Sequence, residues 1–187
     1  MRRLLAVVAV GLLMSAAPAF ADITPRDKVP VGGMDGQISA WGIYSYRYSW
    51  GGYGLGARYQ KTVLPQGVLN NPSIREDIGI EGGLDFVHYS WDYGFGSSSW
   101  TYNEFSIVAG PVWNFWLTPQ IAVYPKLDIG FAFGSWSVPS GFDSNLHPTS
   151  GGVVFQGAVG GVYKLDKFAL RLELGSAYIR GGLAMNF

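Results

Sequence analysis

Residues 121–134 read "IAVYPKLDIGFAFG", and their order decides the fold. In an extended chain Ile121, Val123, Pro125, Leu127, Ile129, Phe131 and Phe133 share one face, while Ala122, Tyr124, Lys126, Asp128, Gly130, Ala132 and Gly134 share the other. A helix would scatter both sets around its axis, so the stretch predicts a strand. "FALRLELG" at 168–175 repeats the pattern, with Phe168, Leu170, Leu172 and Leu174 set against Ala169, Arg171, Glu173 and Gly175. In 78–90, Ile80, Leu84, Phe86 and His88 oppose Glu81, Gly83, Asp85, Val87 and Tyr89. The alternation recurs over 37–46, 53–63, 105–117, 153–165 and 179–187, which makes eight predicted strands.

Two links are tight, "LTPQ" at 117–120 and "LDK" at 165–167. They alternate with long ones at 91–103 and 135–152, so long loops gather at one end of the sheet and tight turns at the other. The link at 63–77 breaks this scheme, being long where a tight turn is expected. Either a long turn is built there or the first two strands run in a different register.

Only 14% of residues are charged and 16% are aromatic, whereas a soluble domain carries about a quarter charged residues. Part of the exterior is therefore expected to face something other than water. Arg2 and Arg3, an apolar run from Leu4 to Met14, and Ala19-Phe20-Ala21 form a secretory signal peptide at 1–21, too short to span a bilayer. A short periplasmic segment at 22–36 and a single barrel domain at 37–187 follow. There is no cysteine, hence no disulfide, thiol nucleophile or lipidated cysteine. The 13 cations are dispersed and matched by 13 anions, which leaves no basic patch for nucleic acid. An alternating sheet with an apolar outer face can hide its edges in lipid only by closing on itself. The fold class is thus all-β, an eight-stranded antiparallel transmembrane barrel of up-and-down meander type.

The last residues, "RGGLAMNF", end on an aromatic at the close of an alternating run. Arg180, Gly182, Met185 and Phe187 fit the polar, glycine, hydrophobic and aromatic slots of the C-terminal assembly signal of bacterial outer-membrane barrels, which this tail resembles. Over the mature chain the pattern resembles the small eight-stranded outer-membrane proteins of the OmpA and OmpX type. That resemblance implies the cell outer membrane of a Gram-negative bacterium, with termini in the periplasm and long loops outside. It also implies contact with outer-membrane lipids and lipopolysaccharide, insertion by the barrel assembly machinery, and a monomeric state. Trp50, Trp91, Trp100 and Trp136 near the outer strand ends, with Trp113 and Trp116 near the inner ones, are read as aromatic girdles at the two membrane interfaces.

The inward face presents Arg58, Lys126, Arg171 and Arg180 against Glu81, Asp85, Asp128 and Glu173. An eight-stranded barrel is just wide enough for its own side chains, and buried charges need partners. The balanced set is expected to close the lumen by salt bridges. The function expected is that of an integral outer-membrane protein with a structural or surface-interaction role, without cofactor or metal. A narrow path for ions or small solutes, lined by the same groups, is the alternative. A second alternative is a lipid-modifying hydrolase: "FVHYSW" puts His88 and Ser90 on one face, which resembles the His-x-Ser part of the His-x-Ser-Asn motif of lipid A deacylases. Trp91 stands in the Asn slot, and Asp92 and Glu104 are the nearest downstream carboxylates. His147, in the long loop with Asp143 nearby, has too few ligand types around it for a metal site. Paired glycines such as Gly151-Gly152 and Gly160-Gly161 lack the lysine and helix of a phosphate loop and mark close backbone approach.

Overall fold

The computed structural model describes residues 35–47, 51–69, 71, 74–92, 99–137 and 149–187. The signal peptide, nearly all of the segment at 22–36, Trp50, Asp143 and His147 lie outside the described residues. The strands are β1 (Gly36–Ser45), β2 (Gly52–Leu64), β3 (Arg75–Asp92), β4 (Ser99–Trp116), β5 (Ile121–Ser137), β6 (Thr149–Leu165), β7 (Phe168–Gly175) and β8 (Tyr178–Asn186). Each pairs antiparallel with its neighbours in sequence, and β8 returns to β1 to close the barrel. Gly36 and Phe187 seal that seam by exchanging both backbone hydrogen bonds.

The period-two pattern becomes an inside and an outside. Along β5, Ala122, Tyr124, Lys126 and Asp128 are buried, while Leu127, Ile129, Phe131 and Phe133 are exposed. Ile38, Leu55, Ile80, Phe86, Ile107, Phe155, Leu172 and Leu183 continue the exposed set around the wall. On a water-facing barrel such a belt would drive aggregation, whereas against lipid it is the contact surface. The wall is that of a transmembrane barrel.

Close inner packing uses glycine at defined points. A Cβ at Gly160 would meet the Tyr124 ring at 2.3 Å, so the ring can lie against the neighbouring strand only because that position is bare.

The strands at the loop end outrun the sequence-based bounds. The link predicted at 91–103 shrinks because β3 runs to Asp92 and β4 starts at Ser99; that at 135–152 shrinks because β5 runs to Ser137 and β6 starts at Thr149. Cross-strand pairs such as Trp91 with Trp100 and Tyr102 with Trp136 explain the extension, since paired aromatics stabilise a ladder whose composition resembles a loop. With 17 to 18 residues in β3 to β6 but 8 and 9 in β7 and β8, the wall is tall on one side and low on the other. The register of the first two strands is unbroken from Gly36 with Lys61 to Ser45 with Gly52. The anomalous link predicted at 63–77 shortens to 65–74, because β2 runs to Leu64 and β3 starts at Arg75, but it is still longer than the other turns at that end. A bulge between Thr62 and Leu64 precedes it.

Candidate functional site: the lumen

Seen along the strands, the lumen is built in three layers. The lowest, at the end that carries Gly36 and Phe187, is an apolar floor of Val112, Trp116, Ala122, Tyr124, Val162, Ala169 and Ala184. It also holds polar groups: Asp77 accepts from Asn114 Nδ2 at 2.7 Å and from Trp116 Nε1 at 2.5 Å, beside buried Arg75.

Above the floor sit the eight predicted charges, all inward and each at most 5% exposed. The structure brings them into one network. Glu81 receives Lys126 Nζ on one oxygen and Arg171 Nη1 on the other, both at 2.6 Å, with Arg58 Nε at 3.9 Å. Lys126 also reaches Asp128 at 3.0 Å and Glu173 at 3.4 Å. Asp85 bridges Arg58 at 2.5 Å and Arg180 at 2.9 Å. Glu173 is flanked by Arg171 and Arg180, each at 3.7 Å, and accepts the Tyr124 hydroxyl at 2.9 Å. Aromatic faces back the cations: Arg171 lies 4.8 Å from the Trp41 ring and Arg180 lies 3.7 Å from the Tyr178 ring.

Sequence reasoning overlooked several polar members. Gln37 accepts from Arg171 at 2.8 Å and Gln156 from Arg180 at 3.0 Å, so carboxamide oxygens supplement the carboxylates. Near the opposite end, Arg47 grips Glu104 at 2.8 and 3.0 Å. Gln37, Gln156 and Glu104 lie on the inward parity, and extending the alternation beyond the apolar runs would have revealed Glu104.

The third layer is a roof of Trp41, Ile43, Val87, Tyr89, Tyr102, Ala158 and Tyr178, with Trp91 and Trp136 packed on it. Rings stack upward from it: Tyr89 on Tyr102 at 5.8 Å, Tyr102 on Trp136 at 4.6 Å, Trp91 against Trp136 at 5.4 Å and Trp91 on Trp100 at 6.2 Å. Beside the roof residues Ile43, Val87 and Tyr178, a partly open pocket of about 20 Å³ reaches from Arg47 and Glu104 to Asp85, Gln156 and Arg180, room for about one water.

This geometry corrects the girdle assignment. Trp91, Trp100 and Trp136 share the inward parity of Tyr89, Tyr102 and Ala132, so they line the mouth instead of meeting headgroups. Trp116 is 1% exposed and belongs to the floor. Position along the strand sets their height, but parity sets the face they occupy. Trp113 lies on the outward parity, next to Phe115 at 4.9 Å.

His88 and Ser90 do lie on the outer wall, both exposed. His88 Nδ1 stands 2.8 Å from Asn103 Oδ1, a neutral amide that cannot balance an imidazolium as a carboxylate does. Glu104 is no candidate for that role, because it faces the lumen and is held by Arg47. The side chain of Asp92 lies outside the described set.

The tail residues occupy distinct surroundings. Arg180 is in the charge network; Gly182 lies opposite Trp41, where a Cβ would strike the indole at 2.7 Å. Met185 and Phe187 are exposed on the wall, and the Phe187 ring stacks on Tyr59 at 6.3 Å.

No protein-family model and no curated protein sequence matches the chain. Solved structures of similar architecture include Ail, the attachment invasion locus protein of Yersinia pestis, in complex with the heparin analogue sucrose octasulfate (16% identity, 81% of this chain and 96% of that one, TM-score 0.48). Neisserial surface protein A is similar at 13% identity over 83% and 97% of the two chains, TM-score 0.48. The N-terminal β-barrel domain of Pseudomonas aeruginosa OprF is similar at 16% over 82% and 98%, TM-score 0.44. At these identities the likeness is one of barrel fold, and the lumen described above belongs to this chain's own residues.

Proposed function

We propose that this protein is an integral outer-membrane barrel whose lumen is closed to solutes and whose role is structural or exerted at the cell surface through its outer strand ends and loops. One observation carries the reading: four cations and four anions cross the lumen at ion-pair distances, with largely apolar layers below and above whose own polar groups, Asp77 with Asn114 and Arg47 with Glu104, are paired. A conducting path needs a continuous open route, and the pocket at the outer end, with room for about one water, runs down onto the ion pairs of Asp85 and Arg180. The apolar wall supports residence in lipid, with lipopolysaccharide as the natural neighbour at the outer leaflet, and the tail at 180–187 supports delivery by the barrel assembly machinery. The protein acts as a monomer and needs no cofactor. Planar-bilayer recording tests the closed lumen: the purified barrel gives no steady current, and a large ion-selective conductance would turn the charges into a pathway lining.

A further inference from the structure

Glu76 has the wrong address for a carboxylate in a membrane wall. Its pair across the ladder is Phe115, and the inward positions on either side of it are Arg75 and Asp77, paired with Trp116 and Asn114. Parity therefore aims Glu76 outward, yet it is only 1% exposed. What covers it is the long turn after β2. The backbone N–H groups of Val68 and Leu69 both donate to Glu76 Oε1, and Trp113 Nε1 donates to Oε2. Gly67, with φ of 62°, lets the chain come this close, because a Cβ there would lie 2.2 Å from the Glu76 carboxyl carbon. The turn is thus clamped against the outside of the barrel beside Trp113 and Phe115, instead of hanging below the lumen.

Apart from Gln66, the exposed side chains of the clamped segment are apolar. The bulge at Thr62 and Leu64 leaves Val63 and Leu64 both exposed, and Val68 is 60% exposed. These side chains extend the apolar belt below Ile80 toward the tight-turn end, beside the exposed Lys61 opposite Ile80, a long cation that suits the headgroup level. With the Val68 and Leu69 N–H groups taken up by Glu76 and the Gly67 N–H by the Leu64 carbonyl, the segment offers lipid few unsatisfied backbone donors and several apolar side chains.

We propose that residues 63–69 form an interfacial anchor, held on Glu76, that lies in the inner-leaflet boundary of the bilayer beside Trp113. The occupant of this surface is lipid, by continuity with the apolar belt, and the inference rests on the membrane reading above. It predicts a turn that is lipid-embedded although it belongs to the end where links are otherwise short and wet.

The chain has no cysteine, so single cysteines can carry an environment-sensitive fluorophore on the full-length protein. In phosphatidylcholine vesicles, a label at Val68→Cys should be quenched strongly by lipids bearing a nitroxide near the top of the acyl chain and weakly by aqueous iodide. Gln120→Cys, in the tight turn between β4 and β5, should show the reverse. Ile129→Cys, in the middle of the wall, reports insertion of the barrel itself. Glu76→Gln presents an amide N–H₂ to donors and should shift the Val68 label from lipid to iodide quenching; Trp113→Phe, which keeps an aromatic ring but loses the N–H donor, should shift it part of the way. If the Ile129 label reports lipid while the Val68 label behaves like Gln120, the anchor is wrong and the barrel stands. If neither reports lipid, the membrane reading fails first. A Val68 label shielded from both quenchers only when a periplasmic protein is added would also overturn the lipid assignment.

Discussion

Replacing Arg171 by Met removes a charge from the centre of the network while nearly keeping its length. Arg171 is fully enclosed: Nη1 donates to Glu81 at 2.6 Å and to Gln37 at 2.8 Å, and the guanidinium lies over Trp41 and Tyr124. Taking one partner from a buried pair typically costs about 3–5 kcal/mol. After the substitution Glu81 still has Lys126 at 2.6 Å and Arg58 at 3.9 Å, so the loss should fall at the lower end, about 3 kcal/mol. That corresponds to about a hundredfold in the folding equilibrium. The assay is reversible urea unfolding in lipid vesicles, followed by the gel mobility difference between folded and heated barrel. Leu172→Ala, one residue away on the lipid side and 56% exposed, is the control. Lipid fills the space it vacates, so its cost should stay below the roughly 2–5 kcal/mol of a buried Leu→Ala. Combining Arg171→Met with Glu81→Gln should recover part of the loss, because three cations then face three anions again. Equal stability of Arg171→Met and wild type, or strict additivity in the double variant, would refute the argument that pairing holds this lumen together.

Other expectations follow from separate parts of the structure. Phe187→Ala should lower the amount of barrel assembled in cells while refolding in detergent proceeds nearly as before, since the ring is 61% exposed and lies on the wall against Tyr59; equal assembly in cells would remove the signal reading. Gly160→Ala should destabilise by about 1–3 kcal/mol through overpacking on Tyr124, whereas Gly157→Ala, with no atom within 4 Å of the new Cβ, should be near neutral; urea midpoints compare the two. Arg47→Gln should cost about 1–3 kcal/mol, less than loss of a fully enclosed pair, because Glu104 is left buried at 8% exposure while the Arg47 end, 26% exposed, is screened by solvent. It should leave bilayers silent, and a current appearing on this change alone would place the seal at Arg47 and Glu104, not in the deeper network.

The parts of this molecule that depend on period two were legible in its sequence. Faces of β5 and β7 could be read residue by residue, and the same parity located all eight lumen charges. Height and length were not legible, because nothing in "WDYGFGSSSWTYN" distinguishes a loop from a ladder until Trp91 is known to oppose Trp100. The girdle misreading has the same root: Trp is common both at interfaces and in packed interiors, and only the face decides between them. Glu76 escaped notice because its surroundings come from residues 67–69 and Trp113, which parity on one strand cannot supply.

The arrangement of charge explains why the strands choose their faces at all. In β7 a slip of one residue against β6 and β8 would carry Arg171 and Glu173 from the lumen to the lipid wall and turn Leu170, Leu172 and Leu174 inward. Each cation so moved costs about 2–4 kcal/mol at the bilayer midplane. A lumen lined only with leucine and valine would fill the space as well but would attach no such penalty to the slip. Charge on one face therefore tells inside from outside, and lipid enforces the choice. The same logic requires balance, since a lumen no wider than its side chains leaves an excess charge without a partner. Four cations opposite four anions satisfy both demands at once, so closure of the lumen and fidelity of register have a common origin in the same eight residues.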